Sequence, residues 1–244
     1  MHVRDMLARR TDLSTFVVHF TRRTSRPAHL NLRSMLRDRV INAVTAMGSA
    51  ASRLERGTAE WRSQRVVSFT ESPLEQLHSF FVEFAEERRH KFRPYGLAFT
   101  KVQARQLRIL PVWYTDVTRG TDWRVNHVWE LIEEQKKADT FVGSHIAAIA
   151  PFVETMGDGH RKEFWWEREW RHLGSFRFSY DQLALGLCPE ERIDEFEAYM
   201  RLLAARRDDA SAEEVRFVDP RWGLEQIIGT LAGVEPRFLS PFTA

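Results

Sequence analysis

The chain has little of several features that would classify it quickly. A single cysteine, Cys188, stands among 244 residues, which excludes an intrachain disulfide and a cysteine-based metal cluster. No apolar run approaches the roughly 20 residues that a membrane-spanning helix needs, and residues 1–5 lack the apolar character of a secretion signal. Neither a G-x-G-x-x-G nor a G-x-x-x-x-G-K phosphate-binding loop is present. We therefore expect a cytoplasmic protein with no membrane contact and no bound metal ion.

What the chain does have is the composition of a globular protein, with 43% hydrophobic and 29% charged residues. Its net charge is only +2, which argues against wholesale binding of nucleic acid. The first 39 residues nevertheless hold nine arginines against three aspartates. This basic segment could meet the phosphates of a nucleotide, of a nucleic acid or of an acidic partner, and a general preference for arginine explains it equally well.

Hydrophobic periodicity predicts strands and helices that are interleaved irregularly along the chain. Short apolar runs predict strands at 16–20, 66–69, 95–100, 111–114, 175–178 and 215–218. Spacings of three and four predict helices at 29–47, 73–88, 101–107, 123–137, 140–156, 190–207 and 222–232, with 48–64 either helix or loop. Because the strands are short, we predict one compact α+β domain over residues 1–244, with its core at about 14–232, instead of a doubly wound sheet.

The densest cluster of unusual side chains is the segment F-W-W-E-R-E-W-R at 164–171, which holds three of the eight tryptophans. Interpreted as a strand, it places Glu167, Glu169 and Arg171 on one face and two of the tryptophans on the other. The two carboxylates then lie about 7 Å apart beside a guanidinium. A helix over 163–172 would point Glu167 and Glu169 apart, and a change from helix to strand inside the segment is a third possibility.

Two shorter polar signals end predicted strands. His19-Phe20-Thr21-Arg22 closes the first strand, and Ser68-Phe69-Thr70-Glu71 closes the second. Each signal alone fits a structural role: a hydrogen-bonded histidine, hydroxyls at a strand end, or glutamates paired with arginines. Their order along the chain, histidine before serine and threonine before glutamate, makes them a candidate site.

Five motifs in this chain resemble those of the AbiGi-type abortive phage resistance family of bacteria. They are V-H-F-T-R at 18–22, S-F-T-E-S-P-L at 68–74, P-Y-G-L-A-F-T-K at 94–101, P-V-W-Y at 111–114 and W-W-E-R-E-W-R at 165–171. The resemblance covers most of residues 16–200. It implies a role in bacterial antiphage defence, as a member of a toxin–antitoxin pair with a cognate partner protein.

The order of the three polar signals is also similar to that of the ADP-ribosyltransferase fold. This resemblance implies a split β-sheet core with surrounding helices and an NAD cleft between two small sheets. It implies that His19 binds a ribose of NAD, that Ser68 and Thr70 line the nicotinamide pocket, and that Glu169 is the catalytic glutamate, with Glu167 completing the pair. The chain departs from the pattern in having no tyrosine where the histidine-type transferases place theirs.

The chemistry of NAD cleavage suits these residue types, because breaking the nicotinamide–ribose bond builds positive charge on the ribose, which a fixed carboxylate stabilises. An aromatic ring such as that of Tyr95 would stack on the cationic nicotinamide. Arg22 would neutralise the pyrophosphate, and Thr21 stands beside it among the expected cofactor-binding residues.

Three hypotheses about function follow. The first is an NAD-dependent ADP-ribosyltransferase that modifies nucleic acid or protein. The second is a catalytically inert protein of the same fold that acts as an antitoxin or partner-binding subunit. The third is a metal-dependent nuclease that uses His19, His160, His172 and the glutamates, although these histidines lack a clustered ligand spacing.

Overall fold

The computed structural model describes residues 14–22, 25–81, 92–118, 120, 122–157 and 168–234. The chain divides into two compact units. The first contains residues 1–39, 71–103 and 178–244, and the second contains residues 40–70 and 104–177. Both units combine strands with helices, which confirms the predicted α+β class. No helix in the described part of the chain has the length and apolar character needed to cross a bilayer.

The strands of the described residues are β1 (Phe16–Arg22), β2 (Val40–Ile41), β3 (Thr45–Ala46), β4 (Arg65–Thr70), β5 (Phe92–Thr100), β6 (Leu110–Pro111), β7 (Trp113–Asp116), β8 (Val153–Met156), β9 (Glu169–Leu173), β10 (Phe176–Arg177), β11 (Leu185–Leu187) and β12 (Phe217–Val218). The α-helices are α1 (Ala28–Asp38), α2 (Ala59–Ser63), α3 (Lys101–Gln106), α4 (Trp123–Lys137), α5 (His145–Ile149), α6 (Ile193–Arg207) and α7 (Leu224–Leu231). Turns of 3-10 helix lie at Leu74–Phe80, Ala150–Phe152, Tyr180–Gln182, Glu190–Arg192 and Ala210–Ala212.

Four strands with mixed pairing form the centre of the first unit. β1 pairs antiparallel with β5, β5 pairs antiparallel with β11, and β11 pairs in parallel with β12. Alternation along β1 sends Val18 and Phe20 into a core cluster that also contains Leu74 and Leu77, and it places His19 on the opposite face. The register between β1 and β5 shifts after Phe20, which pairs with Gly96. A Cβ atom on Gly96 would stand 2.5 Å from the His19 carbonyl oxygen. Glycine is therefore required at this close approach of β1 and β5.

The helices of the first unit agree with the sequence pattern in one case and correct it in another. α6 buries Phe196 and Met200, as its apolar spacing predicts. The predicted helix at 29–47 is too long, because α1 ends at Asp38 and Arg39 adopts a left-handed backbone with φ 53°. The next residues, Val40 and Ile41, are β-branched and form β2.

In the second unit, four strands pair in the order β3-β4-β9-β6. All three of its pairings are antiparallel. β10 pairs antiparallel with β2, and β7 pairs in parallel with β8. In the register between β4 and β9, Ser68 stands opposite Arg171 and Thr70 stands opposite Glu169. This register decides which polar side chains of the unit meet.

The helices of the second unit show where periodicity alone is insufficient. α4 has the predicted bounds. Its N-cap residue is Asp122, whose carboxylate accepts the backbone N–H of Arg124. The predicted helix at 140–156 is wrong over its second half, where α5 gives way to the 3-10 turn Ala150–Phe152 and then to β8. Pro151 has no N–H for a helix interior, and Val153 favours a strand.

Candidate functional site

The strand β9 begins at Glu169, directly after Arg168, whose backbone is left-handed with φ 46°. The strand interpretation of this segment is therefore confirmed from Glu169 onward, and the helix interpretation is wrong there. Glu169 and Arg171 share one face of β9, while Trp170 is buried from the other. Glu167, the second glutamate of the predicted pair, lies outside the described residues.

Arg171 is the largest fully buried side chain on this strand, and it binds Glu169 at two points. Its Nε donates to Oε1 of Glu169 at 3.0 Å, and its Nη2 donates to Oε2 at 2.8 Å. The same Nη2 donates to Oε2 of Glu154 on β8 at 3.0 Å, and Nη1 donates to the carbonyl of Pro151. Two carboxylates thus share one guanidinium, which gives the cluster a net charge of −1 when both are ionised.

Opposing effects act on the pKa of Arg171. Burial lowers it, but the charges and hydrogen bonds of Glu169 and Glu154 outweigh burial, so the pKa lies above its usual value. The guanidinium is therefore a permanent cation at the centre of the cluster. We call Glu169, Arg171 and Glu154 the β9 cluster.

Three further side chains border the β9 cluster. Thr70 and Ser68 on β4 stand directly opposite Glu169 and Arg171, and directly opposed residues share a sheet face. Oη of Tyr114, on β7, lies 3.5 Å from Oε2 of Glu169. Three of the predicted site residues, Ser68, Thr70 and Glu169, are thus brought together by one strand pair.

Glu169 keeps capacity to accept further hydrogen bonds. A carboxylate has about four acceptor positions, and within the described part of the chain those of Glu169 meet only Arg171 and, at long range, Tyr114. Its side chain is 12% exposed, against 7% for Glu154 and 0% for Arg171. Of the three charged groups, Glu169 is the one that a ligand hydroxyl can best approach.

The other predicted cofactor-binding residues lie in the first unit. His19 is half-buried opposite Leu97, and Thr21 is fully buried, with a hydroxyl that finds no hydrogen-bond partner in the described part of the chain. Tyr95 is half-buried, and its burial raises the pKa of the phenol, so the side chain is a neutral donor. The side chain of Arg22 lies outside the described residues.

Tyr95 borders a cavity of about 400 Å³ at the start of α1. The cavity is also lined by Ser25, Pro27, Ala28 and Arg93. Of these, the exposed Arg93 brings a cation that the sequence motifs did not single out. Its signal in the sequence was weak, because it is one arginine among many.

The sequence pattern also failed to identify two groups that bind Arg171. Glu154 fell inside a predicted helix, so nothing in the sequence placed it beside β9. The carbonyl of Pro151, which Arg171 binds, is a backbone group that no side-chain motif reveals.

The structure also bears on a cysteine nucleophile and on a metal site. Cys188 is buried, and burial raises the pKa of its thiol well above the usual value, which disfavours a nucleophilic role. Among the described residues no three His, Cys, Asp or Glu side chains are grouped to hold a metal ion. His160, which the nuclease hypothesis needs, lies outside the described residues.

Comparison with family models, with curated proteins and with solved structures finds no match for this chain. Both family resemblances of the motifs therefore stay predictions.

Proposed function

We propose that this chain is an ADP-ribosyltransferase-like protein of a bacterial antiphage system, which binds NAD and breaks its nicotinamide–ribose bond. The observation that carries the proposal is the Glu169 carboxylate. Arg171 holds it at two points beside Thr70, and it retains acceptor capacity for a ligand hydroxyl. The acceptor of the ADP-ribosyl group is a nucleic acid or a protein.

The proposed step requires a fixed negative charge next to the ribose. As the C1′–N bond breaks, its electron pair leaves with nicotinamide and C1′ gains oxocarbenium character. Glu169 accepts a hydrogen bond from the ribose 2′-hydroxyl and stabilises the developing cation, and the nucleophile of the acceptor, or water, then adds at C1′.

One observation favours a second candidate, an inert antitoxin or partner-binding subunit of the same fold. Both oxygens of Glu169 are bound by Arg171, as in an ordinary structural ion pair. In that case the carboxylate serves the fold alone, and the chain acts by binding its cognate partner.

Substitution of Glu169 by Gln distinguishes the two candidates, and Glu154→Gln is the matched control. Both variants remove one carboxylate charge from Arg171, but only Glu169 stands opposite Thr70 and near Tyr114. We expect Glu169→Gln to lower the rate of nicotinamide release from NAD by a factor of about 10³, because a preorganised charge at the reacting centre is lost. Glu154→Gln should retain at least about a tenth of the wild-type rate.

The measurement is nicotinamide release, together with transfer of label from NAD to a panel of DNA, RNA and protein acceptors. Wild-type protein that neither binds NAD in calorimetry nor releases nicotinamide would reject the transferase and favour the inert partner-binding subunit. Equal losses in the two variants would show that the charge of the cluster matters, and the position of Glu169 does not.

A further inference from the structure

We infer that Arg171 is a positioning residue for Glu169, and that Glu154 and the Pro151 carbonyl hold Arg171 in turn. The inference rests on the proposed function and extends it from the carboxylate to the groups behind it. Arg171 does not touch the ligand, since its side chain is fully buried.

The geometry supports this role because a two-point contact fixes a carboxylate more completely than a single hydrogen bond does. Nε and Nη2 of Arg171 meet the two oxygens of Glu169 separately, so both the position and the plane of the carboxylate are set. Glu169 therefore presents its remaining acceptor positions in one direction.

Arg171 is itself held from the opposite side. Nη2 also binds Glu154, and Nη1 binds the carbonyl of Pro151, whose 3-10 turn directly precedes β8. The guanidinium is thus tied to β8 and its preceding turn as well as to its own strand. Such a supporting shell keeps a reacting group within the small tolerance that catalysis requires.

Stability alone does not account for this arrangement. A buried ion pair typically contributes no more to stability than well-packed apolar side chains of similar volume, because its charges must be removed from water. A role in orienting the Glu169 carboxylate explains why the three charged side chains are buried together.

Arg171→Lys tests the inference, because lysine keeps the positive charge and loses the two-point contact. We expect kcat for nicotinamide release to fall about 10- to 100-fold, whereas KM for NAD changes less than about threefold. The matched control is Arg221→Lys, because Arg221 makes the same two-point contact with Asp219, also two residues earlier. This control should leave both kcat and KM at their wild-type values.

Glu154→Gln provides a second test that does not alter the contact with Glu169. We expect a decrease in kcat of about three- to tenfold, since Arg171 loses one of its two supports. Rates are expressed per folded molecule, measured by circular dichroism, so that a loss of stability is not counted as a loss of rate.

The outcomes separate the inference from the proposed function. If wild-type protein turns over NAD and Arg171→Lys has wild-type kcat and KM with only a lower melting temperature, Arg171 is structural and the inference is wrong. If wild-type protein releases no nicotinamide, the proposed function fails and the inference fails with it. A fall in kcat in Arg171→Lys and Glu154→Gln, with Arg221→Lys unchanged, supports both.

Discussion

Two acidic residues in this molecule are each bound by an arginine two positions later, Glu169 by Arg171 in the second unit and Asp219 by Arg221 in the first. The local contact is the same in both regions, but the surroundings differ. The Arg171 side chain is fully buried, whereas the Arg221 side chain is 45% exposed and also reaches Glu191.

The acids differ in what else they bind. Asp219 accepts the backbone N–H groups of Glu190 and Arg221, both at 2.8 Å, in addition to the guanidinium. Its acceptor positions are therefore used by the fold, which anchors the 3-10 turn at Glu190–Arg192. The carboxylate of Glu169 accepts no backbone N–H within the described residues. The same pair thus closes a turn in one region and leaves a carboxylate available for a ligand in the other.

The largest expected effect comes from removing the two arginines. Arg171→Met should lower the free energy of unfolding by about 3–5 kcal/mol, because the largely buried Glu169 loses the guanidinium that binds both of its oxygens. Arg221→Met should cost about 1 kcal/mol or less, because its half-exposed charge is compensated by water. Urea unfolding followed by tryptophan fluorescence measures both values. Similar losses would contradict the contrast in burial on which the comparison depends.

The acids should show the reverse order. Asp219→Asn should cost about 1–3 kcal/mol, since an amide cannot accept from the two backbone N–H groups and the guanidinium together. Glu169→Gln should cost less than about 1 kcal/mol, because Arg171 keeps Glu154 and the net charge of the cluster falls to zero. Thermal unfolding of the two variants side by side checks this order. A larger loss in Glu169→Gln would place Glu169 with the structural acids.

A third pair has the same spacing, Asp122 and Arg124. We expect the smallest effect from this pair. Here the Arg124 side chain is exposed and the Asp122 side chain is half-buried. The Arg124 side chain together with backbone N–H groups lowers the pKa of Asp122 from 3.8 to about 2. A lowered pKa in the folded state gives stability that is present above pH 4 and is lost as the pH falls towards 2.

We therefore expect the protection of amide hydrogens at the start of α4, taken relative to their intrinsic exchange rates, to fall modestly between pH 4 and pH 2. Asp122→Asn should remove this pH dependence. Protection at the start of α5 serves as an internal control, because Ser144 caps that helix and its first turn holds no acidic side chain. A loss of protection of the same size in Asp122→Asn would show that the carboxylate does not cap α4.

The sequence predicted those parts of the fold in which local preference and packing agree. α4 and α6 carry apolar residues at helical spacing, and β4 carries an apolar run ended by hydroxyls, so each forms where periodicity indicates. The strand β11 was not predicted, because Leu185–Leu187 is only three residues long and contains a glycine. Gly186 is needed there, since a Cβ would lie 2.1 Å from the Phe217 ring. That requirement comes from packing that no local pattern shows.

The site was predictable to the same limited extent. Alternation along a strand correctly placed Glu169 and Arg171 on one face, and the strand register then brought Ser68 and Thr70 to them. The role of Glu154 could not be predicted. Pro151 ends the helical pattern and a strand follows it, and only the tertiary structure places that strand beside Arg171. Glu167 lies outside the described residues, so the expected pair of glutamates stays a prediction.

The two-point contact between Glu169 and Arg171 also constrains how this chain can change over evolutionary time. Loss of the arginine alone leaves the Glu169 carboxylate without the group that binds both of its oxygens, and loss of Glu154 alone loosens the arginine. Single substitutions at these positions therefore carry a penalty that paired substitutions avoid, and positions 154, 169 and 171 are expected to vary together among descendants of this sequence. At position 168 the left-handed backbone favours glycine or asparagine.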